Sequence, residues 1–197
     1  MSTDSKTIRT YDTHADEYAR VTFTDKPDPF LQAFIDAVPK GGRVLDLGCG
    51  PGTFANLMAQ TGLSVDATDA SAEMVTRAAQ HPGVSAQQAT FDDLTARNLY
   101  DGIWANFSLL HAPRAAMPHH LAAIHTALRP HGAFHLAVKT GEGEHRDRLG
   151  RFYTYYSPEA LTALLETAGF TVQKITPGRD KGLDGSLSDW ISVASHA

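Results

Sequence analysis

Val44-Leu45-Asp46-Leu47-Gly48-Cys49-Gly50-Pro51-Gly52 decides the fold: an apolar strand runs into a Gly-x-Gly-x-Gly turn, and helical periodicity begins near Thr53. Glycines suit such a turn because a side chain would block a ligand's approach to the backbone, and the helix start beyond it offers free N–H groups. Taken alone, the turn also fits a tight strand-to-helix connection that holds nothing. The next strand carries the decision. Val65-Asp66-Ala67-Thr68-Asp69-Ala70 ends on Asp69, 17 residues beyond Gly52. A carboxylate there can accept hydrogen bonds from both ribose hydroxyls of a nucleoside. Its other reading, as the start of the next helix, is already served by Ser71.

Working outward, short apolar or β-branched runs alternate with helical segments, the pattern of a mostly parallel sheet covered by helices. Strands are expected at 43–47, 64–68, 84–88, 101–105, 132–138, 171–177 and 187–194, with helices at 28–38, 53–60, 72–80, 115–128 and 158–168. Ser71 and Ser157 read as N-caps, each with a glutamate (Glu73, Glu159) in the first helical turn, where negative charge suits the helix dipole. Gly62, Gly132 and Gly169 follow helical runs where a left-handed stop is expected, with Pro130 in the break before Gly132. Two segments stand outside this series. Segment 8–24 reads as an amphipathic helix carrying Tyr11, Tyr18 and Phe23 that folds over the sheet's edge. Segment 139–156 opens with Gly-Glu-Gly-Glu and mixes Arg146, Arg148 and Arg151 with Tyr153, Tyr155 and Tyr156; a long Gly-rich connection is a functional lid or a mobile loop.

The 197 residues suit one domain, divided into an N-terminal helical cap (1–38), a cofactor-binding half (39–138) and a C-terminal part with the lid (139–197). A net charge of -5, from 17 Lys+Arg against 22 Asp+Glu, supplies no broad cationic face and disfavours a nucleic-acid partner. The lone Cys49 cannot form an internal disulfide, the first residues lack the apolar core of a secretory signal, and no apolar run is long enough to span a bilayer. A cytoplasmic protein away from the membrane is expected.

From the glycine turn onward, roughly 38–177, the chain resembles the class I S-adenosylmethionine-dependent methyltransferases. The resemblance implies an α/β, Rossmann-like three-layer sandwich, whose seven-stranded, mostly parallel sheet has an antiparallel last strand. Carried over by position, Asp46, Gly48, Gly50 and Gly52 would face the methionine end and Asp69 the ribose. Asp92, in Thr90-Phe91-Asp92-Asp93-Leu94, would meet the adenine amino group, and Asn106, in Ala105-Asn106-Phe107-Ser108, would lie beside the cofactor. Cys49, Ala70 and Met74 join this cofactor-facing set, and Tyr11 and Tyr18 either close the pocket or simply pack. A smaller bacterial group, its substrates unassigned, shares the run at 109–114 and the segments at 141–144 and 150–152.

Methyl transfer from a sulfonium is an in-line displacement at an activated electrophile, so the protein's part is largely to hold and align the acceptor. His111, after the fourth strand, is the candidate base by position and intrinsic pKa; packing or capping is its alternative role. Lys139, Arg146, Arg151 and Tyr153 are candidate contacts for a small-molecule acceptor, anionic if the guanidinium groups bind it; a solvated charged loop is the other reading. Cys49 within the glycine turn reads as a packing residue, not the nucleophile for carbon methylation of pyrimidines, and Asn106-Phe107-Ser108-Leu109 departs from the signature of amino-methylating nucleic-acid enzymes. His119, His120 and His125 share one helix, with no cysteine near them, and read as exposed residues, so no metal is assigned. The expected activity is transfer from S-adenosylmethionine, leaving S-adenosylhomocysteine, to an oxygen or nitrogen of a small molecule. The alternatives are a non-catalytic S-adenosylmethionine-binding module and an NAD(P)-binding protein, whose Gly-x-Gly-x-x-Gly is not met because position 53 is Thr.

Overall fold

The computed structural model describes residues 4–197; the first three residues of the expected cap lie outside them. Seven strands form the main sheet: β1 (Arg43–Leu47), β2 (Ser64–Asp69), β3 (Val84–Gln88), β4 (Tyr100–Asn106), β5 (Leu128–Lys139) and, beyond a small hairpin of β6 (Glu144–Arg146) and β7 (Phe152–Thr154), β8 (Thr171–Lys181) and β9 (Leu187–His196). Their order is β3-β2-β1-β4-β5-β9-β8. β1 to β5 pair in parallel, while the last strand, β9, slots between β5 and β8 antiparallel to both. This is the three-layer architecture expected.

Strand periodicity explains the layers. Leu45 and Leu47 of β1 join Ile103 and Ala105 of β4 in one buried cluster, beneath α6 (Met117–Ala127) and α7 (Pro158–Thr167). Val44 and Trp104, on the alternate positions, join the opposite cluster with α3 (Pro29–Ala37), α4 (Thr53–Gln60) and Ala78 of α5 (Ala72–Ala78). The helix starts follow their caps. Asp28 accepts from the amides of Phe30 and Leu31, Ser71 from Met74 and Ser157 from Ala160.

The structure departs from the sequence reading in three places. Segment 8–24 is two helices, α1 (Ser5–Thr13) and α2 (Ala15–Val21), broken at His14. The left-handed residue after α6 is His131 (φ 63) and not Gly132, because β5 already starts at Leu128 and the chain bends where His131 donates to the carbonyl of Ala197. Segment 139–156 is a built element and not a loose loop: β6 pairs with β7, and Tyr153, Thr154 and Tyr156 are buried.

Gly52 and Gly62 test how much of the glycine pattern is packing. Both have positive φ (84 and 88), but a Cβ on Gly52 would meet Ala78 Cα at 2.7 Å whereas one on Gly62 meets nothing within 4 Å. Gly62→Ala is expected to cost about 1–2 kcal/mol from backbone strain alone, and Gly52→Ala a further 1–3 kcal/mol or so from overpacking. Equal losses in urea denaturation would refute the close α4–α5 packing.

Candidate active site

The strand order reverses between β1 and β4, and a cleft opens at the carboxyl ends of these strands, the position at which open α/β sheets bind ligands. The turn after β1 is held by backbone: the amides of Gly48 and Cys49 both donate to the carbonyl of Thr68, at 2.8 and 2.9 Å. Asp69 completes it. One carboxylate oxygen accepts from the amide of Gly50 and the other from that of Ser71, both at 2.9 Å. Gly48 and Gly50 both adopt left-handed φ, and a Cβ on Gly48 would fall 2.3 Å from Ser108 Cβ. The cleft contains about 760 Å³ of empty space, part of it open to solvent, and Gly48, Gly50, Asp69, Ala70, Met74 and Asn106 line it.

Other residues of the expected set do not line this cleft. Gly52 packs on α5, Cys49 is buried in the cluster beside α4, and Asp46 lies buried with no hydrogen-bond partner for Oδ2. Asp92 also stands off it, because the short 3-10 turn at Phe91–Asp93 carries its side chain toward His120, 4.0 Å from Nδ1. Thr90 and Phe91 form that part of the wall instead. Their only signal in the sequence is adjacency to Asp92.

Asp69 supplies an acidic group to the floor of the cleft, and Asp46 lies buried near it, outside the lining. Burial, and then the charge of Asp69, pushes Asp46 up to about 8; burial likewise raises Asp69, against the amides that stabilise its charge. Among the described residues neither is ion-paired with a cationic side chain. The sulfonium and ammonium of S-adenosylmethionine are positive charges of the kind such a floor attracts, and the glycine cradle leaves room for backbone contact, so the residues fit that cofactor.

The roof comes from the N-terminal helices. Tyr11 and Tyr18 meet edge to face at 5.2 Å, and Tyr18 closes over Gly50, where a Cβ would meet its Cε1 at 3.3 Å. Ser71 Oγ donates to Asp12 Oδ1 at 2.5 Å, and Arg77 pairs with Asp16 at 2.7 Å, fastening α1 and α2 to α5.

A second cavity, with about 1130 Å³ of empty space that includes open solvent, abuts the first. Tyr11, Tyr18 and Phe107 line both. Phe107 holds this partition from a left-handed conformation (φ 54) that a bulky residue seldom adopts. Lys139, Arg151 and Tyr153 line the second cavity as expected, and Lys181 and Trp190, from β8 and β9, join them without any sequence signal of their own. Lys139 Nζ lies 4.2 Å from the centre of the Tyr153 ring, and burial followed by the charge of Arg151 lowers its pKa. Arg146 is absent from this lining. It reaches across the hairpin to Asp4 at 2.7 Å, holding that carboxyl well below its usual range, and so fastens α1 to the hairpin instead of facing an acceptor.

His111 sits at the junction in a fully assigned setting. Its Nδ1 lies 2.6 Å from the carbonyl of Phe152, which can only accept, so Nδ1 carries the proton and Nε2 accepts from the Tyr11 hydroxyl at 2.8 Å. Arg151 donates to that same hydroxyl at 3.1 Å, and is itself anchored by a buried ion pair with Asp147 at 2.7 Å. The lone pair that a base would use therefore faces Tyr11 and not the cavity directly.

Residues 15–175 match the family described as a methyltransferase domain. Among solved structures, the chain is similar to a 1,6-didemethyltoxoflavin-N1-methyltransferase from Burkholderia thailandensis (22% identity, 98% of this chain and 88% of that one, TM-score 0.74). It is also similar to S-adenosylmethionine-dependent methyltransferases from Mesorhizobium loti (21% identity, 86% and 96%, TM-score 0.68) and Methanosarcina mazei (15% identity, 87% and 98%, TM-score 0.73). No curated protein matches the sequence. The chain belongs to the methyltransferase domain family and is a class I, S-adenosylmethionine-dependent enzyme. The NAD(P) and non-catalytic alternatives give way to that assignment. No helix among the described residues is long and apolar enough to cross a membrane.

Burial, with the charges of Arg151 and Lys139, pushes His111 from 6.5 down to about 4. Between those values the unfolded chain binds a proton that the native site excludes, so this histidine withdraws stability as the pH falls through that window. Imidazole nitrogen NMR of the native protein is expected to show the neutral Nδ1–H form from neutral pH down to about pH 5. A ring already protonated near pH 6 would refute the buried, pinned geometry.

Proposed function

We propose that the chain transfers the methyl group of S-adenosylmethionine to an oxygen or nitrogen of a small aromatic or anionic molecule held in the second cavity. The observation that carries this reading is the shared partition: Tyr11, Tyr18 and Phe107 separate the cleft at the glycine turn from a neighbour bearing Lys139, Arg151, Tyr153 and Trp190. Aromatic rings beside cationic groups suit a flat acceptor with anionic character. The toxoflavin-precursor enzyme, of similar fold, has a small heterocyclic acceptor and S-adenosylhomocysteine bound together.

The cofactor supplies a methyl group already activated on sulfonium. Gly48 and Gly50 would admit its amino-acid end, Asp69 would accept from the ribose hydroxyls, and Thr90 with Phe91 would flank the adenine. Asp46 and Asp69 would favour the positive charge. An acceptor methylated at oxygen or nitrogen would then have a proton to shed. Tyr11 takes it, passing its own phenolic proton to Nε2 of His111, while Arg151 orients the phenol. A weak base suffices, because the acceptor's X–H becomes strongly acidic as the methyl bond forms.

Three outcomes test this. Incubation with methyl-labelled S-adenosylmethionine and a panel of hydroxy- and amino-substituted aromatic acids and N-heterocycles is expected to label a panel member; label appearing only on nucleic acid or protein would overturn the proposal. Asp69→Ala should weaken S-adenosylhomocysteine binding about ten- to hundredfold in calorimetry while the protein stays folded, the scale of a lost charged hydrogen bond or two; an unchanged affinity removes the ribose role. Tyr11→Phe and His111→Gln should each lower kcat with the identified acceptor by about 10²-fold or more, with cofactor affinity nearly intact. If Tyr11→Phe turns over normally, the relay is wrong.

A further inference from the structure

The expectation that the α6 histidines are all exposed fails at His120. It is buried to 1% exposure, and neither ring nitrogen has a hydrogen-bond partner. Leaving such a group unsatisfied costs about 1–3 kcal/mol, so its retention in a packed interior calls for a ligand. Its neighbours offer one. Asp92 and the exposed His119 bring their donor atoms, with that of His120, all within 4.8 Å of one another, and among the described residues this is the single such cluster of three His, Cys, Asp or Glu groups.

We propose that Asp92, His119 and His120 form a binding site for a divalent first-row transition metal, with zinc as its probe. Two imidazoles and one carboxylate make a borderline donor set, suited to zinc and its neighbours and poorly suited to magnesium or calcium, which prefer oxygen alone. Metal–ligand bonds of about 2.0–2.2 Å require the donors to draw closer than they now stand. Asp92 and His119 are exposed, while His120 is held by burial.

The site has a route to the cofactor cleft. Phe91 packs edge-on against the His120 ring at 5.6 Å and also lines the cleft, and Asp92 is its neighbour in the same short turn. A metal bridging α6 to that turn would brace the cleft wall formed by Thr90 and Phe91.

Untagged, chelator-treated protein titrated calorimetrically with zinc is expected to bind one equivalent per chain. Asp92→Asn and His119→Ala, both at exposed positions, should each weaken binding about tenfold or more, and His131→Ala, far from the cluster in sequence, should leave it unchanged. Absence of zinc binding, wild-type affinity in both ligand variants, or equal loss in His131→Ala would each overturn the site. Cobalt substitution supplies a second readout, since visible absorption characteristic of nitrogen and oxygen coordination should appear in the wild type and not in Asp92→Asn. Zinc loading should change S-adenosylhomocysteine affinity about fivefold or more; equal affinity with and without zinc would overturn the bracing of the wall.

Discussion

The carboxylate of Asp69, accepting the amides of Gly50 and Ser71, is the fastening on which the cofactor cleft depends. Through one oxygen it fixes the glycine turn that ends β1, and through the other it sets the start of α5, whose Ala78 packs against Gly52. Strand, turn and two helices thus converge on one acidic group. A second carboxylate, Asp46, lies buried close enough for Asp69 to raise its pKa. For a fold judged on stability alone this is a poor choice, because buried like charges without a cation resist ionisation and weaken the native state. A floor of this kind gains from a positively charged ligand, which turns the mutual repulsion into attraction on binding.

The roof is built by opposite means. α1 and α2 bury only Thr7, Thr10 and Ala15 between them. They are held mainly by polar contacts, including Arg146 to Asp4 and Arg77 to Asp16, ion pairs with substantially exposed partners. Such pairs are worth roughly 1 kcal/mol or less each, against the extensive apolar contacts beneath α6 and α7. The roof thus adds few fully buried side chains to the molecule while covering the cleft.

The sheet and the helix caps were legible because their signals are local. Ser71 and Ser157 cap where a serine precedes a helical run, and the bounds of β1, β3 and α4 coincide with their apolar patterns. Misreadings occurred where a side chain's partner lies far along the chain. Arg146 and Arg151 stand in one segment with similar surroundings in sequence, yet hairpin register sends one to Asp4 and the other to Tyr11. His119 and His120 are adjacent on a helix, and which of them is buried depends on where the inner face of α6 falls. Asp92 matched its motif by position, while a single 3-10 turn moved the cleft wall to Thr90 and Phe91. Tyr11 and His111 were legible as candidate site residues, but their hydrogen bond spans a hundred residues of sequence.

That bond changes what the site's economy of parts means. Tyr11 is at once roof of the cofactor cleft, partition to the second cavity and hydrogen-bond donor to His111. Because α1 carries Tyr11, the proposed proton path would depend on the position of that helix. The contacts of Arg151 to Tyr11 and of Phe152 to Thr7 and His111 tie the hairpin to the same helix. Under the proposed function, a displaced α1 would leave His111 without its relay and uncover the cofactor cleft together. Readiness to deprotonate an acceptor and enclosure of the methyl donor would then be coupled through one helix.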